Sequence, residues 1–152
     1  MNLSKVLAPE TVRMEIRGRT KLEIVEELLD LLVAAGRVND RSRALQALLD
    51  RENKMSTGLQ NGLALPHATV DVVDGLVAAI GLKREGVDFQ SIDGQPSRLF
   101  IMTLSPPDNA VAHIRFLGKL SRVLGVPDAL EKLLATRTPG EVLGLLGRTD
   151  AG

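Results

Sequence analysis

The stretch LVAAIGL, Leu76–Leu82, is apolar throughout, and a second apolar run, LFIMTL, follows at Leu99–Leu104. Short continuous runs of this kind are typical of strands that are covered on both faces of a sheet. Gly86 and Asp93-Gly94 lie between the runs and indicate a loop region. Toward both ends of the chain, apolar residues recur at helical spacing and predict amphipathic helices. The sequence therefore predicts an α/β fold, a sheet with helices on both faces, without specifying the strand order.

The amino-terminal part of the chain changes from the period of a strand to the period of a helix. Apolar and charged residues alternate over Val12–Ile16, which predicts a half-buried strand. Thr20 and Glu23 then form a capping box, so a helix is expected to begin there and to run to about Ala35, where Gly36 ends it. The residues that we expect this helix to bury are Leu22, Val25, Leu28, Leu29 and Leu32.

A second helix is expected to follow directly. Asn39 or Asp40 is the predicted cap of this helix, and its carboxyl-terminal end carries Arg51. Its predicted inward-facing residues are Ala44, Leu45, Leu48 and Leu49.

Three helices are expected after the central strands. Ser105–Asp108 contains two prolines and an aspartate, which predict a break and then the cap of a long helix that ends near Leu124. A short helix is expected from Pro127, and Thr138 with Glu141 forms a second capping box for a last helix. The predicted core residues of the long helix are Ala110, Ile114, Leu117, Leu120 and Leu124, and those of the short helix are Leu130, Leu133 and Leu134.

Composition excludes several classes of function. The chain has 152 residues, with 19 basic and 19 acidic side chains, so bulk charge indicates no nucleic-acid or anionic-membrane partner. Cysteine is absent, which excludes disulfides, thiolate metal sites and a cysteine nucleophile. The first residues show no signal-peptide pattern, and no apolar run is long enough to span a membrane. We therefore expect a cytoplasmic domain without direct membrane insertion, with loose ends at Met1-Asn2 and Arg148–Gly152.

The segment RENKMSTGLQNGLALPHA, Arg51–Ala68, contains the candidate reactive group. A polar loop at Ser56–Gly58 and a turn at Asn61-Gly62 precede three apolar residues. Pro66 cannot donate to a sheet ladder, so we predict that a short strand ends at Pro66-His67. An imidazole held at a strand end by a rigid neighbour is suited to chemistry, although many Pro-His pairs are ordinary loop residues.

The pattern of Arg51-Glu52, Ser56–Gly58, Asn61-Gly62 and Pro66-His67 resembles the active-site signature of a known family. The family comprises the enzyme IIA domains of the bacterial phosphoenolpyruvate-dependent sugar phosphotransferase system, fructose/mannitol class, including the nitrogen-regulatory type. The resemblance also includes a Thr-Lys helix start and the pattern of the last helices, and so covers nearly the whole chain. It implies one phosphocarrier domain over residues 1–152 and a mixed β-sheet sandwiched between helices.

The resemblance also implies site residues and partners. In that family the histidine of the Pro-His pair, here His67, takes a phosphoryl group from phospho-HPr and passes it to a cysteine of a partner IIB domain for sugar uptake. Arg51 and His113 match an arginine and a second histidine that lie close to the phosphoryl site. Ser56 or Thr57 is expected to orient the ring or bind the phosphate, and no metal or cofactor is implied.

One position departs from the family pattern. Gln60 stands where the fructose and nitrogen types usually have glycine, so the loop before His67 is expected to differ in detail. No reacting group is lost by this change.

Ordinary alternatives exist for each candidate. His113 fits a core-edge histidine of the long helix, and Arg51 fits a cation at the negative end of a helix dipole. The hydroxyls of Ser56 and Thr57 fit bonds to their own loop. The alternative function is a regulatory, nitrogen-type protein whose phosphorylation state controls binding to other proteins without transport. A metal-dependent hydrolase built on His67 and His113 is weaker, because the two histidines lack metal-ligand spacing and a carboxylate partner.

Overall fold

The structure is a computed structural model and describes residues 6–147, so the expected loose ends, Met1-Asn2 and Arg148–Gly152, lie outside the described residues. A 3₁₀ helix, Pro9–Thr11, precedes the first strand. The strands and helices, numbered in chain order by type, are β1 Val12–Arg13, α1 Lys21–Ala34, α2 Arg41–Lys54, β2 Leu63–Ala64, β3 His67–Thr69, β4 Val77–Val87, β5 Ser97–Ser105, α3 Ala110–Leu124, α4 Ala129–Leu134 and α5 Pro139–Gly147. Among these residues, no helix is long and apolar enough to cross a membrane.

The sheet has five strands, and β5 is its most connected member. The main path is β1-β4-β5-β2, and β3 also pairs with β5. β4 and β5 are antiparallel because a short connection joins them, whereas β1 is parallel to β4, and β2 and β3 are parallel to β5. The expected mixed sheet is therefore confirmed.

Helices cover both faces of this sheet and divide the buried side chains into two cores. Alternation along β5 sends Phe100, Met102 and Leu104 into the core beneath α1 and α2. The same alternation sends Leu99 and Ile101 into the core beneath α3, α4 and α5. β4 is buried continuously over 77–83. The expectation that the two apolar runs are strands covered on both faces is confirmed.

Capping residues were predicted correctly at α1, α2 and α5, where the Thr138 hydroxyl accepts from the Glu141 amide at 3.2 Å, and wrongly at α3. The Thr20 hydroxyl accepts from the Glu23 amide, and Glu23 closes the capping box. Asp40, not Asn39, caps α2 by accepting from the Arg43 amide. At α3 the predicted cap, within Ser105–Asp108, is wrong: Asn109 occupies the cap position and makes no side-chain cap hydrogen bond. The Asn109 amide donates to the Pro106 carbonyl, so a turn occupies these residues and delays the helix start.

The buried stripe of two helices differs from the prediction. In α1, Leu22 is 47% exposed and Ile24 is buried in its place. In α3, Ile114 is 69% exposed and Ala110 is also exposed, whereas the buried residues are Phe116, Leu120 and Val123. Both stripes of α3 have helical spacing, and the stripe that packs on the sheet includes the large aromatic ring. Leu117 and Leu124 are half-buried beside it.

Two strand boundaries also differ. β1 ends at Arg13, although Ile16 is buried and its amide donates to the Leu82 carbonyl at 2.8 Å. β4 continues through Gly86, which was expected in a loop. Gly86 has a φ of 78°, and the register with β5 shifts between Leu82 and Val87, so this glycine lies in a strand irregularity.

Candidate phosphoryl-transfer site

His67 begins a strand, which corrects the prediction that a strand ends at Pro66-His67. Leu63 pairs with Leu99 and His67 with Thr103, so the chain leaves β5 for two residues and returns in the same register. Pro66 lacks an amide hydrogen, but its carbonyl accepts from the Thr103 amide at 3.0 Å. The proline therefore removes one backbone hydrogen-bond donor, and the pairing with β5 continues after it.

The His67 ring is held by its own backbone. Its Nδ1 lies 2.8 Å from the carbonyl oxygen of Leu65. A carbonyl oxygen can only accept a hydrogen bond, so Nδ1 carries the proton. In a neutral imidazole the other nitrogen then has a free lone pair. His67 is half-buried, and its Nε2 is the nitrogen available for a reaction.

His113 lies beside His67, in the first turn of α3. The ring centroids are 5.7 Å apart, and the ring planes meet at 67°. The Nε2 of His113 is 2.8 Å from the Thr103 hydroxyl oxygen. Burial lowers the pKa of His113, and the nearby His67 lowers this pKa further. His113 is therefore neutral at pH 7.

Thr103 joins this site from the neighbouring strand, and the sequence analysis missed it. It is buried among the apolar residues of β5, and its pairing with His67 follows from the register. Within one strand, a single threonine among apolar residues is typical of β structure and indicates no function. Thr103 is recognised as a site residue only when the register of β3 and β5 places it opposite His67.

Arg51 has a contact at the end of its own helix. It is half-buried in the last turn of α2, and its Nη1 donates to the Met55 carbonyl at 2.9 Å. This bond satisfies one of the backbone oxygens that a helix end leaves without a partner. α2 packs beside β3, the strand that carries His67. A role for Arg51 in phosphoryl transfer stays a prediction.

The hydroxyls of Ser56 and Thr57 donate to protein oxygen atoms. Ser56 Oγ donates to the Phe89 carbonyl at 2.6 Å and accepts from the Gly58 amide. The Thr57 hydroxyl donates to the Glu52 carboxylate. Only the bond between Ser56 and the Gly58 amide matches the loop-hydroxyl alternative, because the other two reach the Phe89 carbonyl and the Glu52 side chain. A phosphate-binding role for either residue stays a prediction.

The buried carboxylate of Glu52 connects this loop to the reactive ring, and the sequence analysis assigned it no role. Glu52 also accepts from the Thr57 amide at 2.6 Å. The Thr57 carbonyl then accepts from the Leu65 amide at 3.0 Å, and the Leu65 carbonyl accepts from the His67 ring. Glu52 is therefore linked through two residues, Thr57 and Leu65, to the His67 ring. The paired residues Arg51-Glu52 were a usable signal, because a glutamate next to a helix end is available to bond the following loop.

Lys21 completes the buried cluster from the start of α1. Its Nζ lies 3.4 Å from a Glu52 carboxylate oxygen and donates to Ser56 Oγ and to Gln90 Oε1. The same ammonium lies 4.8 Å from the centroid of the Phe89 ring. The Thr-Lys helix start is thus joined to the end of α2 by an ion pair with Glu52 and to the loop before His67 by a hydrogen bond to Ser56.

We expect the replacement of Glu52 by alanine to lower the free energy of unfolding by about 3 kcal/mol, because the buried amide and hydroxyl of Thr57 lose their acceptor and the partly buried Lys21 loses its carboxylate. Glu26→Ala is the matched control: Glu26 also bonds a cation, Arg41, but both side chains are 38% exposed. Its loss is expected to cost below about 1 kcal/mol. Urea unfolding of both variants measures the difference, and equal losses would contradict a structural role for the Glu52 cluster.

Glycine is required for structural reasons at two positions of the segment Arg51–Ala68. A Cβ on Gly58 would lie 2.7 Å from the Phe89 carbonyl oxygen, so no larger residue fits there. Gly62 has a φ of 80° and follows Asn61 at 61°, which are the dihedrals of the predicted turn. Gln60, by contrast, is exposed and is not among the residues with positive φ. Its backbone therefore does not require the glycine that the family usually has there.

Over residues 6–147, no group of three or more His, Asp or Glu side chains is arranged to hold a metal ion. The two histidines of the site have Leu65 and Thr103 as their hydrogen-bond partners.

Known proteins share both the sequence and the fold. Residues 5–148 match the family described as "Phosphoenolpyruvate-dependent sugar phosphotransferase system, EIIA 2". A Haloferax volcanii protein, "PTS system fructose-specific EIIA component", is 39% identical over 95% of this chain and 94% of its own length. The Bacillus subtilis "PTS system fructose-specific EIIABC component" is 30% identical over 99% of this chain, which spans 24% of that longer protein.

Solved structures give the same result. The nitrogen regulatory protein IIA-Ntr from Neisseria meningitidis superimposes with a TM-score of 0.87 at 26% identity, covering 95% of this chain and 98% of that one. The IIA mannitol protein from Escherichia coli gives 0.79 at 31% identity, covering 92% and 98%. An Escherichia coli complex of enzyme IIA for mannitol with phosphorylated enzyme IIB gives 0.79 at 29% identity, covering 92% and 96%.

Proposed function

Because the chain belongs to the EIIA 2 family of the phosphoenolpyruvate-dependent sugar phosphotransferase system, we propose that it carries a phosphoryl group on Nε2 of His67. The group comes from phospho-HPr and passes to a cysteine of a partner IIB domain. The observation that carries this proposal is the hydrogen bond from His67 Nδ1 to the Leu65 carbonyl, which places the lone pair of the neutral ring on Nε2. A relay supplied from phosphoenolpyruvate works in the cytoplasm.

The transfer is a displacement at phosphorus. The Nε2 lone pair of His67 forms the new P–N bond while the P–N bond of the donor phosphohistidine breaks, and its electron pair returns to the donor ring. The Leu65 carbonyl keeps the Nδ1 proton in place, so the phosphorylated ring is cationic and its P–N bond is reactive toward the next acceptor. An acceptor thiolate then attacks phosphorus and restores the neutral ring. The chain itself has no cysteine, so this acceptor belongs to another protein.

Charge on the three phosphoryl oxygens requires stabilisation during both steps. We assign this role to Arg51, whose planar guanidinium can bond two oxygens, and to His113, which lies next to the reactive ring. His113 donates a hydrogen bond and does not carry the group. The lowered pKa of His113 keeps it neutral before phosphoryl transfer.

Fructose uptake is the favoured context, because the Haloferax volcanii protein that is 39% identical is named as fructose-specific. The regulatory context is retained as a second candidate, because the Neisseria meningitidis nitrogen regulatory protein superimposes with a TM-score of 0.87. Neighbouring genes for IIB and IIC components favour uptake, and their absence favours regulation. Transfer of label from the phosphorylated chain to a purified fructose IIB domain discriminates directly between the two.

The proposal is tested with phosphoenolpyruvate carrying a ³²P label, purified enzyme I and purified HPr. We expect one label per chain, labile in acid and stable in alkali, as a phosphoramidate is. Peptide mapping is expected to find it on His67, and omission of HPr is expected to remove it. Label on serine or threonine, or no label in the complete mixture, would refute the proposal.

Docking of a partner requires an exposed surface next to the two rings. Val111 and Ile114 flank His113 on α3 and are 63% and 69% exposed. Exposed apolar side chains beside a reactive group are typical of a protein-binding surface. We propose that the donor and acceptor proteins contact this part of α3.

We therefore expect Ile114→Glu to raise the KM for phospho-HPr about five- to tenfold, because a charge replaces an apolar contact. Val126→Glu is the matched control, since Val126 is 48% exposed beyond the other end of α3. Steady-state phosphorylation assays give KM for both, and thermal unfolding checks that both are folded. An unchanged KM in Ile114→Glu would place the docking surface elsewhere.

A further inference from the structure

Thr103 lies opposite His67 on the central strand and is 1% exposed. Its hydroxyl oxygen is 2.8 Å from Nε2 of His113. We propose that Thr103 is a positioning residue that holds His113 in the tautomer with its proton on Nδ1. The tautomer itself does not depend on the proposed function, but its effect on phosphoryl transfer does. Thr103 acts through its hydrogen bond to His113.

The direction of this hydrogen bond follows from burial. A threonine hydroxyl can donate to a ring nitrogen or accept from one. If Nε2 donated, the hydroxyl proton of Thr103 would need another acceptor, and the described part of the chain gives this hydroxyl no partner besides His113. A buried donor without an acceptor is unfavourable, so the hydroxyl donates and Nε2 accepts.

The ring proton of His113 must then be on Nδ1. Burial keeps the ring neutral, and a neutral imidazole carries one proton on its two nitrogens. Nδ1 has no hydrogen-bond partner within residues 6–147, and the two imidazole rings are 5.7 Å apart between centroids. A phosphoryl group on His67 brings acceptor oxygens to this neighbourhood. Thr103 thus makes His113 a donor toward the phosphoryl group, and the opposite tautomer would present a lone pair to negatively charged oxygens.

The tautomer is measured first, in the unmodified protein labelled with ¹⁵N and without any phosphoryl donor. Nitrogen–proton correlation spectra at pH 8 are expected to show a protonated Nδ1 and an unprotonated Nε2 for His113. A protonated Nε2 would overturn the inference. Because this measurement needs no phosphoryl transfer and no variant, it stays decisive if His67 proves not to accept the group or if a variant fails to fold.

Kinetics then test the consequence. Thr103→Val removes the hydroxyl at nearly constant volume, and Thr103→Ser retains it. Loss of one hydrogen bond corresponds to about a tenfold effect, so we expect Thr103→Val to lower kcat for transfer from phospho-HPr about tenfold, with KM unchanged. Thr103→Ser is expected to stay within about twofold of the wild type.

Ser105→Ala is the matched control on the same strand and face. Ser105 is also 1% exposed, but its hydroxyl has no hydrogen-bond partner among the described residues. We expect an unchanged rate for this variant. Equal rates and equal His113 tautomers in folded Thr103→Val and the wild type would overturn the role of Thr103. Absence of His67 labelling in the wild type would refute the proposed function and leave the tautomer result intact.

Discussion

Replacement of His67 by alanine is expected to reduce phosphoryl acceptance from phospho-HPr by on the order of 10³-fold or more, because the nucleophile itself is removed. His67 is half-buried at the first position of β3, and alanine is compatible with a short strand, so we expect the variant to fold. Incorporation of ³²P from labelled phosphoenolpyruvate measures the loss, and circular dichroism checks the fold.

The matched control for this prediction is His113→Ala, which removes the other histidine of the chain. The two rings are neighbours, so removal of either one empties space in the same site. We expect His113→Ala to reach the full label, more slowly, since His113 assists and does not carry the group. Normal labelling of His67→Ala would refute the assignment of the nucleophile, and loss of labelling only in His113→Ala would exchange the two roles.

The second large effect is expected at Arg51. Removal of one preorganised donor that stabilises transition-state charge typically costs on the order of 10²–10³ in rate, and we expect this loss in Arg51→Ala. Arg51→Lys is expected to slow transfer at least tenfold, because lysine supplies a point charge where two phosphoryl oxygens require a planar pair of donors. Rapid-quench kinetics with phospho-HPr measures both variants.

The hydrogen bond from Arg51 to the Met55 carbonyl makes the competing explanation specific. If Arg51 only satisfies the end of α2, then Arg51→Lys should retain both the transfer rate and the midpoint of thermal unfolding, because lysine supplies the same charge. Lys54 lies in the same last turn and is exposed, so Lys54→Ala controls for the loss of a cation at this helix end. Equal rates for Arg51→Lys and the wild type would remove Arg51 from the site.

Local chemistry explains which parts of the fold could be predicted. The capping box at Thr20, the cap at Asp40 and the turn at Asn61-Gly62 were identified from a few adjacent residues, because each depends on contacts within one turn of chain. The two apolar runs were identified as strands for a similar reason, since an uninterrupted run of apolar residues can be recognised without knowing which strands pair with it.

The prediction failed where two arrangements satisfy the same local pattern. Apolar residues of α3 fit two stripes, and packing on the sheet selected the one with Phe116 and left Ile114 exposed. The proline at Pro66 can end a strand or merely remove one ladder bond, and the pairing of His67 with Thr103 decided for the second. Neither outcome depends on adjacent residues alone.

The candidate site divides in the same way. The sequence by itself predicted the candidate histidine, through the motif that ends at Pro66-His67, and it predicted most of the helices and strands that support it. Only the tertiary structure decided that His113 lies beside His67, that Thr103 bonds to His113 and that Glu52 is buried under the loop. Side-chain identity follows from a short stretch of chain, whereas these contacts join residues that are 5 to 46 positions apart and form only when strand register and helix packing are established.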